Sequence, residues 1–197
     1  YPDWDEKRFE EMTAHFKLDK KMKLSSFSKG MQKQAAFILA MSVMPEYLVL
    51  DEPIDGLDPI VRLKVWKYII NDVAERQMTV LVSSHNLREM EGYCDYIGIL
   101  SKGHMVIERD LEDLKSDVHK VQVAFREPKE NAYEDLNVLH FEKRGSVDLL
   151  IVRDKREKVE EVINKCDPAV FDILPLSLEE IFIYELGGVS DEIDGII

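Results

Sequence analysis

Two consecutive carboxylates, Asp51 and Glu52, follow the apolar run Tyr47-Leu48-Val49-Leu50 and precede Pro53. An acidic pair at the carboxyl end of a buried strand lies where open α/β sheets bind their ligands. One carboxylate there can hold Mg²⁺, directly or through water, while its neighbour orients or deprotonates a water attacking a phosphoryl group. A solvated turn would use the same residues, because Asp, Pro and Gly are common turn formers, so the pair alone leaves both readings open. His85 comes just after a second apolar run, Thr79-Val80-Leu81-Val82, and so falls on the same sheet edge as Asp51 and Glu52. Its imidazole could contact a γ-phosphate, or it could be a surface histidine in the loop before a capped helix. The third stretch, Phe27-Ser28-Lys29-Gly30-Met31, opens a predicted helix. Free N–H groups and the helix dipole favour an anion there, and Gly30 lets the backbone approach it closely. Ser28 could add a hydroxyl donor, and it is equally a good N-cap.

The elements that must position these residues follow from period and punctuation. Asp3 with Glu6 reads as a capping box opening a helix with Phe9, Met12 and Phe16 on one face, ending near Leu18. A second helix runs from Lys29 to about Val43, with Ala35, Leu39 and Val43 sharing a face and Pro45 stopping the pattern. Tyr47–Leu50 and Thr79–Val82 are short apolar runs of the kind expected for strands buried on both faces. Between them Asp58 and Pro59 cap and start a helix striped by Val61, Val65, Ile69 and Val73, and Asn86 with Glu89 marks a further helix start. This alternation predicts an α/β fold. Tyr96–Leu100 and Met105–Ile107 flank Lys102-Gly103 as a hairpin at the edge of that sheet. Past about Lys115, Val121, Val123 and Phe125 alternate as in a half-exposed strand. Strand-like stretches at 136–141, 147–152 and 170–174 surround a helix bearing Val159, Val162 and Ile163. Ser177 with Glu180 caps a last helix to about Leu186, ended by Gly187-Gly188. The predicted organisation is an α/β unit over 1–116, a small α+β domain over 117–188 and an acidic tail over 189–197.

Composition narrows the function classes. A net charge of −13 repels nucleic-acid backbones and anionic lipid over most of the surface, so any nucleotide site must be local. Nowhere do about 18 apolar residues run without a charge, and no signal-peptide pattern opens the chain, which predicts a soluble cytosolic protein. Cys94 and Cys166 have no second cysteine or histidine at metal-ligand spacing and are expected reduced.

In this order and spacing the motifs resemble the ABC ATPase family over roughly Ser25 to Glu108. Phe27-Ser28-Lys29-Gly30-Met31-Gln32 is similar to the family signature Leu-Ser-Gly-Gly-Gln, and Tyr47 to Glu52 to its Walker B strand. Gly56-Leu57-Asp58 is similar to its D-loop and His85 to its switch histidine. Lys29 and Met31 depart from the commonest signature, as in bacterial exporter-type ATPases, whose appended domain ends like Leu178-Glu179-Glu180-Ile181-Phe182. The resemblance implies the C-terminal part of a P-loop NTPase domain with a helical signature subdomain, followed by the small α+β domain. It implies ATP and Mg²⁺ as ligands, Asp51 on the metal, Glu52 as catalytic base and His85 as γ-phosphate sensor. Ser28, Lys29, Gly30 and Met31 would meet ATP held by a second subunit, identical or not, and Asp58 would make a contact across that dimer. The implied partner is a membrane-embedded permease in another chain. This chain would then lie at the inner face of the cell membrane, without inserting into it and without nucleic acid.

No G-x-x-x-x-G-K-[ST] occurs in these 197 residues, and the first glycine is Gly30. With Tyr1-Pro2-Asp3-Trp4 unlike a natural start, the expectation is a truncated chain whose phosphate-binding loop, and the loop glutamine that follows it, precede Tyr1. Two alternatives stand beside transport: a soluble ABC protein acting on ribosomes or DNA, and a non-enzymatic half-domain that cannot bind ATP alone.

Overall fold

The computed structural model describes residues 1–127, 129 and 131–187, which group into two compact units, 1–86 and from Leu87 onward.

The first unit opens with α1 (Glu6–Phe16), which buries Met12 and Phe16. Its cap is Asp5, accepting from the Arg8 N–H at 2.9 Å, rather than the predicted Asp3. A left-handed Lys17 ends the helix one residue before the expected Leu18. After a short 3₁₀ turn at Leu24–Ser26, α2 (Lys29–Ser42) packs on α1 through Phe37, Ile38 and Met41. The predicted face is displaced, since Leu39 is 42% exposed and the buried positions are Gln34, Phe37, Ile38, Met41 and Ser42. Strand β1 (Tyr47–Asp51) leads into α3 (Pro59–Arg76), which returns to β2 (Thr79–Ser83). The two strands pair in parallel, from Tyr47 opposite Thr79 to Asp51 opposite Ser83. This right-to-register pairing puts the residue after β1 beside the end of β2. It also corrects one expectation: Leu48 is buried, but Tyr47, Val49 and Leu81 are 75%, 72% and 67% exposed. An apolar run shows that a strand is worth burying, but not how many of its faces this chain covers. Asp72, 2% exposed, holds the unit together by accepting from Arg8 at 2.6 Å and Arg76 at 2.7 Å, which ties α1 to α3.

The second unit begins with the short α4 (Leu87–Glu91). A hairpin follows, formed by β3 (Tyr96–Ser101) and β4 (His104–Asp110) around Lys102 and Gly103, both at positive φ. Its strands form a two-stranded sheet of their own and do not extend the β1–β2 ladder. A helix the sequence reading missed, α5 (Leu111–Asp117), follows at once, capped by Asp110. Strands β5 (Val118–Ala124), β6 (Val138–Arg144), β7 (Val147–Arg153) and β8 (Val170–Leu174) make an antiparallel sheet in the order β6-β7-β5-β8. Helix α6 (Arg156–Lys165) packs Val159 and Ile163 onto Val121, Val123, Leu150 and Val152. On the residues between those, Val118 and Ile151 share a cluster with Ile97 and Ile99 of the hairpin. Leu178 and Ile181 of α7 (Leu178–Gly187) complete that cluster. The capping box at α7 forms as read: Glu180 N–H donates to Ser177 Oγ, and Ser177 N–H donates back to Glu180 Oε2. The expected boundary at 116/117 follows the change in strand character, whereas compactness divides the chain at Asn86/Leu87. Gly188 and the 189–197 tail lie outside the described residues.

Candidate functional site

The register of β1 and β2 sets the geometry of the acidic pair. Ser83, opposite Asp51, donates its hydroxyl to Asp51 Oδ1 at 2.5 Å. The same Ser83 receives the Glu52 N–H through both its carbonyl oxygen (3.2 Å) and its Oγ (3.1 Å). Glu52 itself lies at φ 44°, a left-handed conformation that costs a non-glycine residue about 1–2 kcal/mol. Such a conformation persists where the surroundings over-determine it. Here the N–H is fixed by Ser83, and the carbonyl oxygen accepts from Lys33 Nζ at 3.1 Å.

His85 closes onto this turn from the other strand. Its backbone N–H donates to Glu52 Oε1 at 3.0 Å, and its Nδ1 lies 2.8 Å from the same oxygen. An ionised carboxylate only accepts, so the network assigns a proton to Nδ1. Both contacts use Oε1, which leaves Oε2 for a further proton or water. The His85 side chain is 75% exposed and that of Glu52 34%, so solvent screens the pair and its value lies in orientation rather than stability. The structure thus brings Asp51, Glu52 and His85 to one end of a parallel strand pair, as the sequence expects.

Of the remaining sequence-predicted residues, Ser28 and Asp58 serve as helix caps, and Lys29, Gly30 and Met31 lie in the first turn of α2. Ser28 Oγ accepts from the Met31 N–H at 3.2 Å at the start of α2, with Lys29 and Gly30 in its first turn. A Cβ at Gly30 would stand 3.7 Å from both Gly56 O and Leu57 Cδ2, so the α2 N-terminus abuts the Gly56-Leu57 turn at ordinary contact distance. Asp58 Oδ1 accepts from the Ile60 and Val61 N–H groups, each at 3.1 Å, with Pro59 preset at the first helical position.

Two residues of the site escaped sequence reading. Ser83 carries no signal beyond its place two residues before His85. Lys33 reads as an ordinary surface lysine of α2, yet its ammonium reaches Glu52 O, Asp55 O at 2.6 Å and Asp55 Oδ2 at 3.6 Å. A shallow hollow of about 370 Å³ along α2, lined by Leu24, Gln32, Ala36 and Leu39 among others, includes none of the three chemical residues.

Asp51 offers a hard oxygen ligand steadied by Ser83, which suits Mg²⁺. Among the described residues no three His, Cys, Asp or Glu side chains converge as a cage. Mg²⁺ held by one carboxylate, phosphate oxygens and water requires no such cage.

The chain as a whole is similar to known proteins. The chain is 30% identical over 188 residues to the ABC transporter ATP-binding protein YtrB of Bacillus subtilis, matching 95% of this chain and 64% of that protein. It is 36% identical over 96 residues to the bacitracin transport ATP-binding protein BcrA of Enterococcus faecalis, matching 49% of this chain and 31% of that one. A solved ATP-binding subunit of an ABC transporter superposes with a TM-score of 0.52 at 28% identity, over 56% of this chain and 46% of its own. The chain therefore spans less than two thirds of the length of these relatives. No protein-family model matches it.

Proposed function

We propose that this chain, which belongs to the ABC ATPase family, carries the hydrolytic residues of an ATP-binding subunit that powers a separate membrane permease through ATP-driven dimerisation. The observation that carries the reading is the contact of Glu52 with His85 at the shared end of β1 and β2, beside Asp51. Such a trio has the parts that phosphoryl transfer to water needs: a metal ligand, a proton acceptor and a donor to phosphate. Asp51 would hold Mg²⁺, which when bound neutralises charge on the phosphate oxygens. Glu52 accepts the proton of the attacking water through Oε2, its Oε1 being engaged by His85. His85 holds the carboxylate through Nδ1 and can offer Nε2 to the γ-phosphate when the ring is protonated on both nitrogens.

Ser28, Lys29, Gly30 and Met31, at the exposed start of α2, are assigned to the γ-phosphate of ATP carried by a second subunit, and Asp58 to a contact across that dimer. Free N–H groups at a helix N-terminus suit such an anion. The transport role is supported by the names of the relatives, YtrB and BcrA among them. Among the described residues no helix is long and apolar enough to cross a membrane. The proposal places the membrane path in a separate permease chain and this chain at its cytoplasmic face.

Glu52→Gln in the full-length protein tests the reading. The amide keeps the shape of the carboxylate but cannot take the proton, so hydrolysis should fall by about 10²–10⁴-fold. ATP binding should persist, and ATP should trap a dimer visible by gel filtration. Hydrolysis near the wild-type rate would remove Glu52 as the base.

A further inference from the structure

Lys33 stands one turn beyond the Ser28 cap of α2, and its ammonium points into the turn after β1. It donates to Glu52 O at 3.1 Å and Asp55 O at 2.6 Å, and pairs with the Asp55 carboxylate at 3.6 Å. An ammonium has three donors, and these three contacts converge on residues 52–55. We propose that Lys33 is a positioning residue for hydrolysis: it fixes the left-handed backbone of Glu52 and couples it to the helix that begins at Ser28. This rests on the general-base role proposed above for Glu52.

The argument is geometric. A glutamate at φ 44° returns to the ordinary region unless both flanking peptide planes are held. Ser83 holds the plane on the amino side, through the Glu52 N–H. On the carboxyl side the Glu52 carbonyl oxygen is held by Lys33. Rotation of that carbonyl would turn Cα and swing the carboxylate away from His85, whose backbone N–H and ring both meet Oε1. Two carbonyl oxygens of one turn, at Glu52 and Asp55, would lose a charged donor together, so a neutral residue at position 33 loosens the whole turn rather than one bond. None of these contacts reaches the residues assigned to nucleotide, which is why the effect should fall on the chemical step and not on ATP affinity.

Gly30 abuts Gly56 and Leu57, at the far end of the same turn, so α2 meets the segment after β1 at two places: through the backbone at Gly30 and through the side chain of Lys33. A shift of α2 on meeting a partner's nucleotide would therefore be passed to the Glu52 backbone, and Lys33 is the polar link that passes it.

The test compares Lys33→Met and Lys33→Arg in the full-length protein assembled with its transporter. Lys33→Met, which keeps the aliphatic length and removes the donors, should lower kcat about 10- to 100-fold, the loss that misplacement of a catalytic group by about an ångström brings. KM for ATP should change less than about twofold. Lys33→Arg should restore most of the rate, because the guanidinium still offers several donors to the two carbonyls. ATP-driven dimerisation and the melting temperature should match the wild type. A Lys33→Met protein with wild-type kcat, with raised KM at unchanged kcat, or with loss of folded protein by circular dichroism overturns the proposal, as does a Lys33→Arg protein no better than Lys33→Met. Glu52→Gln run in parallel separates the two readings. If it hydrolyses freely, the general-base assignment fails first, whereas an inactive Glu52→Gln beside an unimpaired Lys33→Met refutes Lys33 alone.

Discussion

At Glu52 a single carboxylate oxygen receives both the backbone and the ring of His85, so the chemistry of two residues is bound up in one contact. Because the His85 ring is three-quarters exposed, replacing it removes a screened interaction and no packing. His85→Ala should therefore cut ATP turnover by at least about 10²-fold while moving stability by less than about 1 kcal/mol, a melting shift of about 2–4 °C at most. A larger drop in melting temperature would mark this histidine as structural. Asp51, Glu52 and His85 could be found in the sequence because each falls within three residues of the end of an apolar run, at or just past the ends of neighbouring strands. Ser83 and Lys33 could not. Ser83 matters only through its register opposite Asp51, and Lys33 only through the approach of α2 to the turn after β1, and both are facts of tertiary placement.

Among the elements, the caps were the most legible, because capping is a local pairing of a side chain with N–H groups two or three residues on. Ser28, Asp58 and Ser177 all cap where the sequence puts them. Asp3 did not, since Asp5 stands equally well placed and its N–H also reaches Ser42 O at 2.8 Å. Burial was less legible: the β1 and β2 runs look alike on both faces, yet only one face is covered. Equally hidden was His119 on β5, which alternation alone puts on the face packed by α6. It is 9% exposed, and its Nε2 has no hydrogen-bond partner among the described residues. Burial first, then the Arg156 cation, hold its pKa below the ordinary histidine value, against the opposing charges of Asp117, Glu157 and Glu160. A histidine kept neutral in the fold leaves the unfolded chain to bind the proton first. Stability is therefore complete above the unfolded pKa of about 6.5 and is lost as pH falls below it. Carboxylates such as Glu180 act lower. Burial pushes its pKa up, but Lys120 and the Ser177 N–H outweigh this and leave it lowered, so its contribution is lost only below the ordinary glutamate value of about 4.3. Melting temperatures should thus fall between pH 7 and pH 5, and His119→Gln, which cannot titrate, should flatten that slope. An unchanged slope in the variant would show that another group sets it.

For the molecule as a whole, the α/β character and the family were legible, because motif order survives without any knowledge of contacts. The grouping of the β3–β4 hairpin with the four-stranded sheet was not, because it depends on Ile97 and Ile99 sharing a core with Val118 and Leu178. The last consequence concerns affinity. In P-loop proteins most of the grip on a triphosphate comes from a cradle of backbone N–H groups and its lysine, and no such motif occurs in these 197 residues. Asp51 and Glu52 bring negative charge to the site, within a chain of net charge −13, so they oppose a triphosphate unless Mg²⁺ screens them. His85 is held to Glu52 through Nδ1, so it offers a phosphate at most the single donor at Nε2. Lys33 is turned into the residue 52–55 turn, and so adds no cation facing the ligand. The 197-residue chain by itself should therefore bind Mg-ATP no tighter than about millimolar, the range left when electrostatic and hydrogen-bond contacts are few. Its exposed Tyr47, Val49 and Leu81 make self-association a competing process, so the titration belongs on a monodisperse fraction at low concentration. Isothermal calorimetry giving heats only at millimolar nucleotide would agree with the motif-based reading. Micromolar binding would mean that a phosphate site is built from residues other than these, and the assignment of Asp51, Glu52 and His85 as the hydrolytic half of a larger site would have to be abandoned.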